Sequence, residues 1–352
     1  MTADASTLGN APRSESGGLW ALASRRLARD KVGVLCFAIV IGFVALACAS
    51  ALRLVAADWS SEIALSYAPP SFLATTEDIA LTGSLQEPAA NAPASGSAVP
   101  GIEDPLRQEL AEIVQRLAAS AAPEPKRTSL PLGADKWGRD VLRKVIKGTE
   151  TSLLVGLAAA LLATVLGTMF GAQAGYFGGR IDDFFNWLYS VLTSIPYLLL
   201  ILAIAAVLHK KGALTVVLIL GLTGWTGIFR LVRAEYLRHK GREYVLAADA
   251  IGASDHRRMF VHILPNVSHV VLVQLSLHVV LFIKSEVILS FLGFGVGVET
   301  VSWGSMLNEA QNELLIGTWW QLAAATAAMA LLVTAFSLFT DALRDALDPR
   351  LR

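Results

Sequence analysis

The chain has 352 residues, of which 54% are hydrophobic and only 16% are charged. Soluble domains carry about a quarter charged residues, so this composition indicates a membrane protein. The 29 basic and 29 acidic residues balance, which gives no indication of a nucleic-acid partner. The two cysteines, Cys36 and Cys48, lie too far apart along one apolar run to form a disulfide, and no metal-binding spacing occurs.

The N-terminus predicts a cytoplasmic tail over residues 1–31, followed by a first transmembrane helix over 32–55. Four basic residues between positions 25 and 31 precede an almost wholly apolar run. About 20 such residues span the bilayer core, and basic residues before the run place the N-terminus inside. A cleaved signal peptide is the alternative, but the run is longer than the core of a signal peptide.

Residues 56–148 are predicted to form a long extracytoplasmic segment. The stretch 75–101 is rich in Ala, Pro, Ser and Gly and predicts a linker. Residues 104–117 predict a helix with one apolar face, which either packs on its own loop or contacts an external delivery protein. An apolar stripe beside basic residues over 137–147 predicts a second amphipathic helix, lying in the membrane interface.

Five further apolar runs predict spans over 152–174, 187–208, 214–232, 267–292 and 320–339. With the first helix they make an all-α polytopic protein of six transmembrane helices, whose five-helix core occupies 149–340. Pro196 is expected to kink the third span. Asp182 and Asp183, in the turn before it, are expected to face water. Residues 341–352 predict a second cytoplasmic tail.

The segment 233–265, between the fourth and fifth spans, is too polar to lie in lipid. Residues 244–251 predict a short helix, Gly252 a turn, and Ser254 the cap of a second helix that Pro265 ends. Ala247, Ala248 and Ala250 are expected to provide a small-residue surface for close approach.

The chain contains no G-x-x-x-x-G-K-[ST] sequence and therefore no sign of a nucleotide phosphate site. No sequence typical of a hydrolase or a metalloprotease occurs either. Any energy source is then outside this chain. We therefore predict that the helix–turn–helix over 242–265 docks on a separate ATP-hydrolysing partner.

The fifth span carries two charged residues, Lys284 and Glu286, which are candidates for a gate or for the lining of a cavity. An ionisable group within a span costs about 2.5–3.5 kcal/mol on insertion scales and points to function by default. Two positions apart, they face different sides of a helix. A structural contact with a neighbouring helix is the alternative for Glu286. A stand-alone ion-coupled secondary transporter or channel is the alternative function, although the other spans are nearly bare of ionisable residues.

Four stretches resemble the inner-membrane permease subunit of peptide-type ATP-binding-cassette importers, the OppC/DppC family. The cytoplasmic E-A-A, glycine and I-x-L-P signature of such permeases is similar to Leu246-Ala247-Ala248, Gly252 and Ile263-Leu264-Pro265 here. LGADKWGRDVL at 132–142, LSFLGFGV with WGSML at 289–307, and the tail DALRDALDPRLR at 341–352 are the others. The residues expected to carry the ATPase coupling are Glu243, Tyr244, Leu246, Ala247, Ala248, Asp249, Gly252, Ile263, Leu264 and Pro265.

The resemblance implies a type I importer permease fold in the bacterial inner membrane, with both termini cytoplasmic. It implies a second, OppB/DppB-like permease, two ATPase subunits that bind the ATP, and an extracytoplasmic solute-binding protein. No cofactor would bind to this chain itself. The solutes implied are di- or oligopeptides or related small molecules.

The chain departs from the family pattern at several positions. Leu246 stands where the signature has an acidic residue, and Asp249 stands where an arginine is often found. Glu243 is the acidic residue one turn earlier. Trp187 and Ser190 occupy positions where this family tends to carry Arg and Asp. These departures concern the segments expected to meet the ATPase.

Overall fold

The computed structural model describes residues 26–74, 126–297 and 299–347. Within these ranges the regular structure is helical. Isolated β-bridges occur, but no β-strand is formed. The predicted linker over 75–101 and the predicted helix over 104–117 lie outside the described residues. The helices are α1 (Lys31–Ala51), α2 (Val141–Phe177), α3 (Gly179–Thr193), α4 (Tyr197–Leu208), α5 (Ala213–Thr223), α6 (Thr226–Lys240), α7 (Glu243–Ala250), α8 (Leu264–Phe291), α9 (Trp303–Leu315) and α10 (Trp320–Leu347).

Five helical stretches of the described chain are long and apolar enough to cross a membrane. They are Lys31–Ala51, Val141–Phe177, Ala213–Lys240, Asp255–Phe291 and Trp320–Leu347. The pair α3 and α4 passes the same test when it is taken as one span, which brings the number to six. The prediction of an all-α polytopic membrane protein is therefore confirmed.

The predicted third span consists of two helices, α3 and α4, rather than of one kinked helix. Between α3 and α4 the helix axis turns by 86°. Pro196 has extended backbone angles and precedes the first residue of α4. Because proline lacks an N–H and disfavours a helical conformation of the residue before it, the chain leaves the helix here instead of bending gently.

Asp182 is only partly exposed to water, rather than fully as predicted, because it is paired with an arginine of α6. The Nε and Nη2 atoms of Arg233 donate to its two carboxylate oxygens at 2.5 and 2.6 Å. The side chain of Asn186 donates to it as well. Asp183, the neighbouring acid, is exposed. This bidentate pair connects α3 to α6 across 51 positions of sequence.

The predicted interfacial helix over 137–147 does not exist as a separate element. Most of this segment is instead the beginning of α2, which runs unbroken from Val141 to Phe177. The Asp140 carboxylate accepts the backbone N–H of Leu142 at 2.8 Å and so caps the helix. Val141 is fully buried, and Trp137 lies in the turn before the helix.

Three glycines of α2, spaced four residues apart, bring this helix against α6 and the residue before it. A Cβ atom at any of them would lie within 2.6–2.8 Å of a backbone carbonyl oxygen on the facing segment. The pairs are Gly167 with Trp225, Gly171 with Phe229, and Gly175 with Arg233. Small residues at this spacing allow close helix–helix contact. The contact holds the end of α2 beside the polar segment that follows α6.

The first and last helices, α1 and α10, end at positions that differ from the predictions. Helix α1 ends at Ala51 rather than at residue 55, and Arg53 and Ala56 then have left-handed backbone angles. Helix α10 continues to Leu347, into the stretch predicted as a tail. Leu347 is buried there, in a cluster with Leu27 and Val273.

The chain divides into two compact units. The first comprises the described residues of Met1–Ala45, Leu153–Glu286 and Ala330–Arg352. The second comprises those of Leu46–Ser152 and Val287–Met329. The segment 233–265 belongs to the first unit, and a buried cluster of charged residues belongs to the second.

Candidate functional site

Helix α7 is short, and both of its ends are well defined. Arg242 precedes it with extended backbone, and Glu243 places a negative charge in the first turn, where the helix dipole favours it. At the other end Gly252 has φ +80°, a left-handed conformation. Its N–H donates to the carbonyl of Asp249, and that of Ala253 donates to the carbonyl of Ala248. This pair of bonds is a Schellman motif, which ends the helix at the predicted turn.

One face of α7 is anchored in the membrane part of the first unit. Val245 and Ala248 are buried. Val245 packs in a cluster with residues of α2, α6, α8 and the stretch just before α8, namely Ala172, Tyr176, Ile228, Val232, Tyr236, Met259, Ile263 and Val267. Ala248 thus does not belong to the exposed small-residue surface that the sequence predicted. Because this face of α7 is packed closely against the spans, a displacement of α7 also displaces the spans.

The opposite face of α7 is exposed. It consists of Glu243, Tyr244, Leu246, Ala247, Asp249 and Ala250, and Ile251 continues it. Leu246 is 55% exposed and Ile251 is 85% exposed. Two large apolar side chains so open to solvent beside small residues are typical of a surface that contacts another protein. Leu246 therefore contributes an apolar group where the family signature has an acid.

An arginine that the sequence did not single out ties this segment together. Arg258 pairs with Asp249, and its Nη2 atom donates to Asp255 at 2.6 Å. The hydroxyl of Tyr176, at the end of α2, donates to the same Asp255 carboxylate at 2.7 Å. Lys240 donates to the carbonyl oxygen of Tyr176 at 2.6 Å. Asp249, which stands where an arginine was expected, is thus one half of an ion pair within the segment.

Pro265 does not end the second helix, contrary to the prediction. Ser254 caps a single turn, Asp255–Arg257, and accepts the N–H of Arg257 as expected. A π-helical stretch, Arg258–Ile263, leads directly into α8, and Pro265 is the second residue of α8. Helix interiors disfavour proline because it donates no N–H, but the π-helical stretch just before Pro265 already interrupts the regular series of hydrogen bonds, so proline is tolerated at this point of the continuous helix Asp255–Phe291.

The predicted coupling residues that follow Gly252 therefore lie in different environments. Ile263 is fully buried in the same cluster as Val245, Leu264 is half-buried, and Pro265 is exposed. Ile263 thus stabilises the attachment of α7 to the spans. Pro265 is available for contact with another protein.

Lys284 and Glu286 lie on different faces of α8, and neither is near α7 in sequence. Glu286 is fully buried, whereas Lys284 is exposed. A role in gating or in lining a cavity stays a prediction for both residues.

A second group of polar residues, the Lys144 cluster, lies in the second unit and was not predicted. Lys144 is 1% exposed, and its ammonium group donates to Asp135 at 2.8 Å, Glu309 at 2.7 Å and Gln321 at 3.1 Å. All three donors of the lysine are used, so the buried charge is satisfied. The cluster joins α2, α9, α10 and the turn before α2. No local sequence pattern relates four positions so far apart.

Glu313 belongs to the Lys144 cluster but forms no ion pair among the described residues. It is 2% exposed, and no side chain of the described residues donates a hydrogen bond to its carboxyl oxygens, although the backbone N–H of Lys136 lies close enough to influence the carboxyl. Burial raises the pKa of the Glu313 carboxyl to about 7, the Lys144 ammonium opposes the rise, and the Asp135 and Glu309 carboxylates add to it. The described residues contain no group of three His, Cys, Asp or Glu side chains that could hold a metal ion.

A Glu313→Gln variant is expected to be more stable than the native chain above pH 7. The raised pKa means that folded Glu313 holds a proton that the unfolded chain releases above its usual value of 4.5. The native chain therefore loses stability as the pH rises from about 4.5 to 7, whereas the amide does not titrate. The advantage of the variant should shrink below pH 7. Unfolding midpoints of both proteins across this pH range measure it, and parallel profiles would contradict the assignment.

Comparison with known proteins identifies relatives with stated roles. The family model described as binding-protein-dependent transport system inner membrane component matches residues 163–352, which include α7 and its attachment. The dipeptide transport system permease protein DppC of Bacillus subtilis is 40% identical over 230 residues, covering 64% of this chain and 72% of that protein. The oligopeptide transport system permease protein OppC of Escherichia coli is 37% identical over 218 residues, covering 62% and 72%. The glutathione transport system permease protein GsiD of Pectobacterium atrosepticum is 35% identical over 221 residues, covering 63% and 73%.

Proposed function

The chain belongs to the family of binding-protein-dependent transport system inner membrane components, and from that premise we propose that it couples peptide import to ATP hydrolysis on separate subunits. It is a permease subunit of an ATP-binding-cassette importer, with the type I permease fold, and it resides in the membrane through several spans.

The observation that carries the coupling role is the division of α7 into two faces. Val245 and Ala248 attach the helix to the spans, while Leu246 and Ile251 are exposed. A displacement of the exposed face by another protein therefore moves the spans as well. An ordinary solvated loop needs neither the buried anchors nor the ion pairs of Arg258.

The partners in this proposal are a second, related permease, two cytoplasmic ATPase subunits and an extracytoplasmic solute-binding protein. The ATPases bind the ATP, and this chain binds no cofactor and has no catalytic residue. Both termini lie in the cytoplasm, so that α7 also faces it. The basic residues of the segment 233–265 support this orientation, since positive charge is enriched on the cytoplasmic side.

The transport step follows from this arrangement. ATP binding closes the ATPase pair, and the exposed face of α7 moves with it. The movement passes to α8 through Ile263 and to the end of α2 through the hydrogen bond between Tyr176 and Asp255. The spans of the two permeases then change from an inward-facing to an outward-facing arrangement.

Di- and oligopeptides are the solutes that the relatives support best. The three named relatives carry dipeptide, oligopeptide and glutathione in their names, and all of these are peptides. Nothing in these comparisons supports the alternative of a stand-alone ion-coupled carrier or channel. That alternative requires solute flux through vesicles that contain this polypeptide alone, driven by an ion gradient.

An Ile251→Ser variant is expected to bind the ATPase subunits about ten- to a hundredfold more weakly than the native permease. Burying an exposed isoleucine at an interface contributes about 1.5–3 kcal/mol. The side chain is 85% exposed, so its loss leaves the fold of the permease intact. Titration of the purified permease pair with its ATPases, in detergent or nanodiscs, measures the affinity.

The matched control is Leu315→Ser, because Leu315 is also 85% exposed but lies at the end of α9, in the second unit. This variant should bind the ATPases as the native protein does. Equal affinities of the two variants would contradict docking at α7. Robust ATP hydrolysis by the isolated chain would contradict the assignment of hydrolysis to the partners.

A further inference from the structure

The face of α8 that carries Lys284 has an unusual composition for a span. Leu277, Leu281 and Lys284 are spaced at i, i+4 and i+7, so they lie along one side of the helix, and all three are exposed. Glu286 and Ile283 lie on other sides and are fully buried. Lys284 has no hydrogen bond or ion pair within the described ranges 26–74, 126–297 and 299–347. An unpaired ammonium group therefore stands in an otherwise apolar exposed stripe.

The position of Lys284 along α8 makes it difficult for its charge to reach the membrane surface. The residue lies about 10 Å from the end of α8 at Phe291 and about 30 Å from the start at Leu264, at 1.5 Å per residue. Helical side chains lean toward the N-terminus of their helix, which for Lys284 is away from the nearer end. Its side chain thus points toward the longer apolar part of the helix.

A lipid environment is therefore unfavourable for this face. A lysine within the hydrocarbon costs about 2.5–3.5 kcal/mol, and charged residues in spans face a water-filled cavity or a polar partner instead. The exposed stripe of α2, with Leu154, Leu157 and Leu161, is wholly apolar, as contact with lipid requires. The two stripes differ in the way expected if α2 faces lipid and α8 faces a polar space.

We propose that Lys284 lines the translocation path and attracts the free C-terminal carboxylate of the peptide as it passes. This inference rests on the proposed function as a peptide importer. The C-terminal carboxylate is the anionic group that unmodified peptides share regardless of their side chains. An ammonium group is a strongly hydrated point charge, and it holds a carboxylate without the fixed geometry of an arginine. A transport path needs such attraction to be weak enough for release.

The test compares one peptide with its C-terminal amide in proteoliposomes. These contain the complete transporter with its ATPases and binding protein, with native permease, Lys284→Met or Lys284→Arg. Lys284→Met is expected to lower uptake of the free acid about tenfold while leaving uptake of the amide nearly unchanged. Lys284→Arg, which keeps the charge, should retain most of the preference. Since the binding protein is the same throughout, its own discrimination cancels when the acid-to-amide ratio of each variant is divided by that of the native complex.

Two results would overturn this inference and leave the proposed function intact. Equal losses for acid and amide in Lys284→Met would mean that the lysine has a structural role or pairs with an acid of the second permease. Unchanged uptake of both would mean that the charge reaches lipid headgroups. The absence of ATP-dependent peptide uptake by the native complex would instead overturn the proposed function, and the inference with it.

Discussion

A Lys144→Met variant is expected to lose about 3–5 kcal/mol of stability, the largest loss predicted for a single substitution in this chain. The ammonium of Lys144 is the cation within 3 Å of both Asp135 and Glu309, and Asp135 is fully buried. Removing one member of a buried ion pair leaves the other charges in a medium that solvates them poorly. The hydrogen bond to Gln321 is lost as well.

Thermal unfolding in detergent, followed by tryptophan fluorescence, measures this loss, because Trp137, Trp303 and Trp320 all belong to the second unit. Lys147→Met is the matched control. Lys147 lies one turn further along α2 and pairs with Glu150 at 2.7 Å, but both side chains are partly exposed. Its loss should cost less than about 1 kcal/mol. Equal destabilisation by the two substitutions would show that the burial of the Lys144 cluster has no special effect.

A Gly252→Val variant is expected to insert into the membrane normally and to lose at least about 90% of uptake. Gly252 has φ +80°, which costs an L-residue about 1–2 kcal/mol and a β-branched residue more. The space around it is open, so the effect is one of backbone conformation and not of collision with neighbours. A changed turn displaces Ile251 on one side and Asp255, with its bonds to Tyr176 and Arg258, on the other.

Gly241→Val tests whether the backbone conformation is responsible. Gly241 ends α6 in the same polar segment and also has open space around it, but its φ of −88° is accessible to every residue. This variant should transport at nearly the native rate. The measurement for both variants is the uptake of a labelled peptide, normalised to the amount of permease in the membrane. Full uptake by Gly252→Val would contradict a coupling role for this turn.

The general architecture could be predicted from the sequence because it depends on short-range properties. A run of about 20 apolar residues partitions into the bilayer wherever it stands in the chain, so the spans were found near their observed positions. The turn at Gly252 was predicted because a glycine after a short helical pattern is typical of a helix end. The spacing of Gly167, Gly171 and Gly175 was equally visible, and it would have predicted the close contact of α2 with another span.

The pairing of charged residues could not be predicted in the same way. Arg233 lies 51 positions from Asp182, and Lys144 lies 165 positions from Glu309. The sequence neighbours of Asp182 and of Glu309 are compatible with a solvated position for each acid, and they give no sign of its distant partner. Ala248 was assigned to a docking surface for the same reason, since only the position of the neighbouring spans shows that this side of α7 is buried.

The sequence by itself thus determined that this is a membrane permease with its spans in this order and a polar helix–turn–helix between two of them. Hydrophobic periodicity, glycine positions and short motifs are local properties, and they do not depend on how the helices pack. Only the tertiary structure decided that the predicted third span consists of two helices divided at Pro196, that Arg258 holds the segment after α7, and that Lys144 neutralises a buried acidic cluster. These features arise where distant segments meet, and the free energy of a buried charge depends on the partners that packing places beside it.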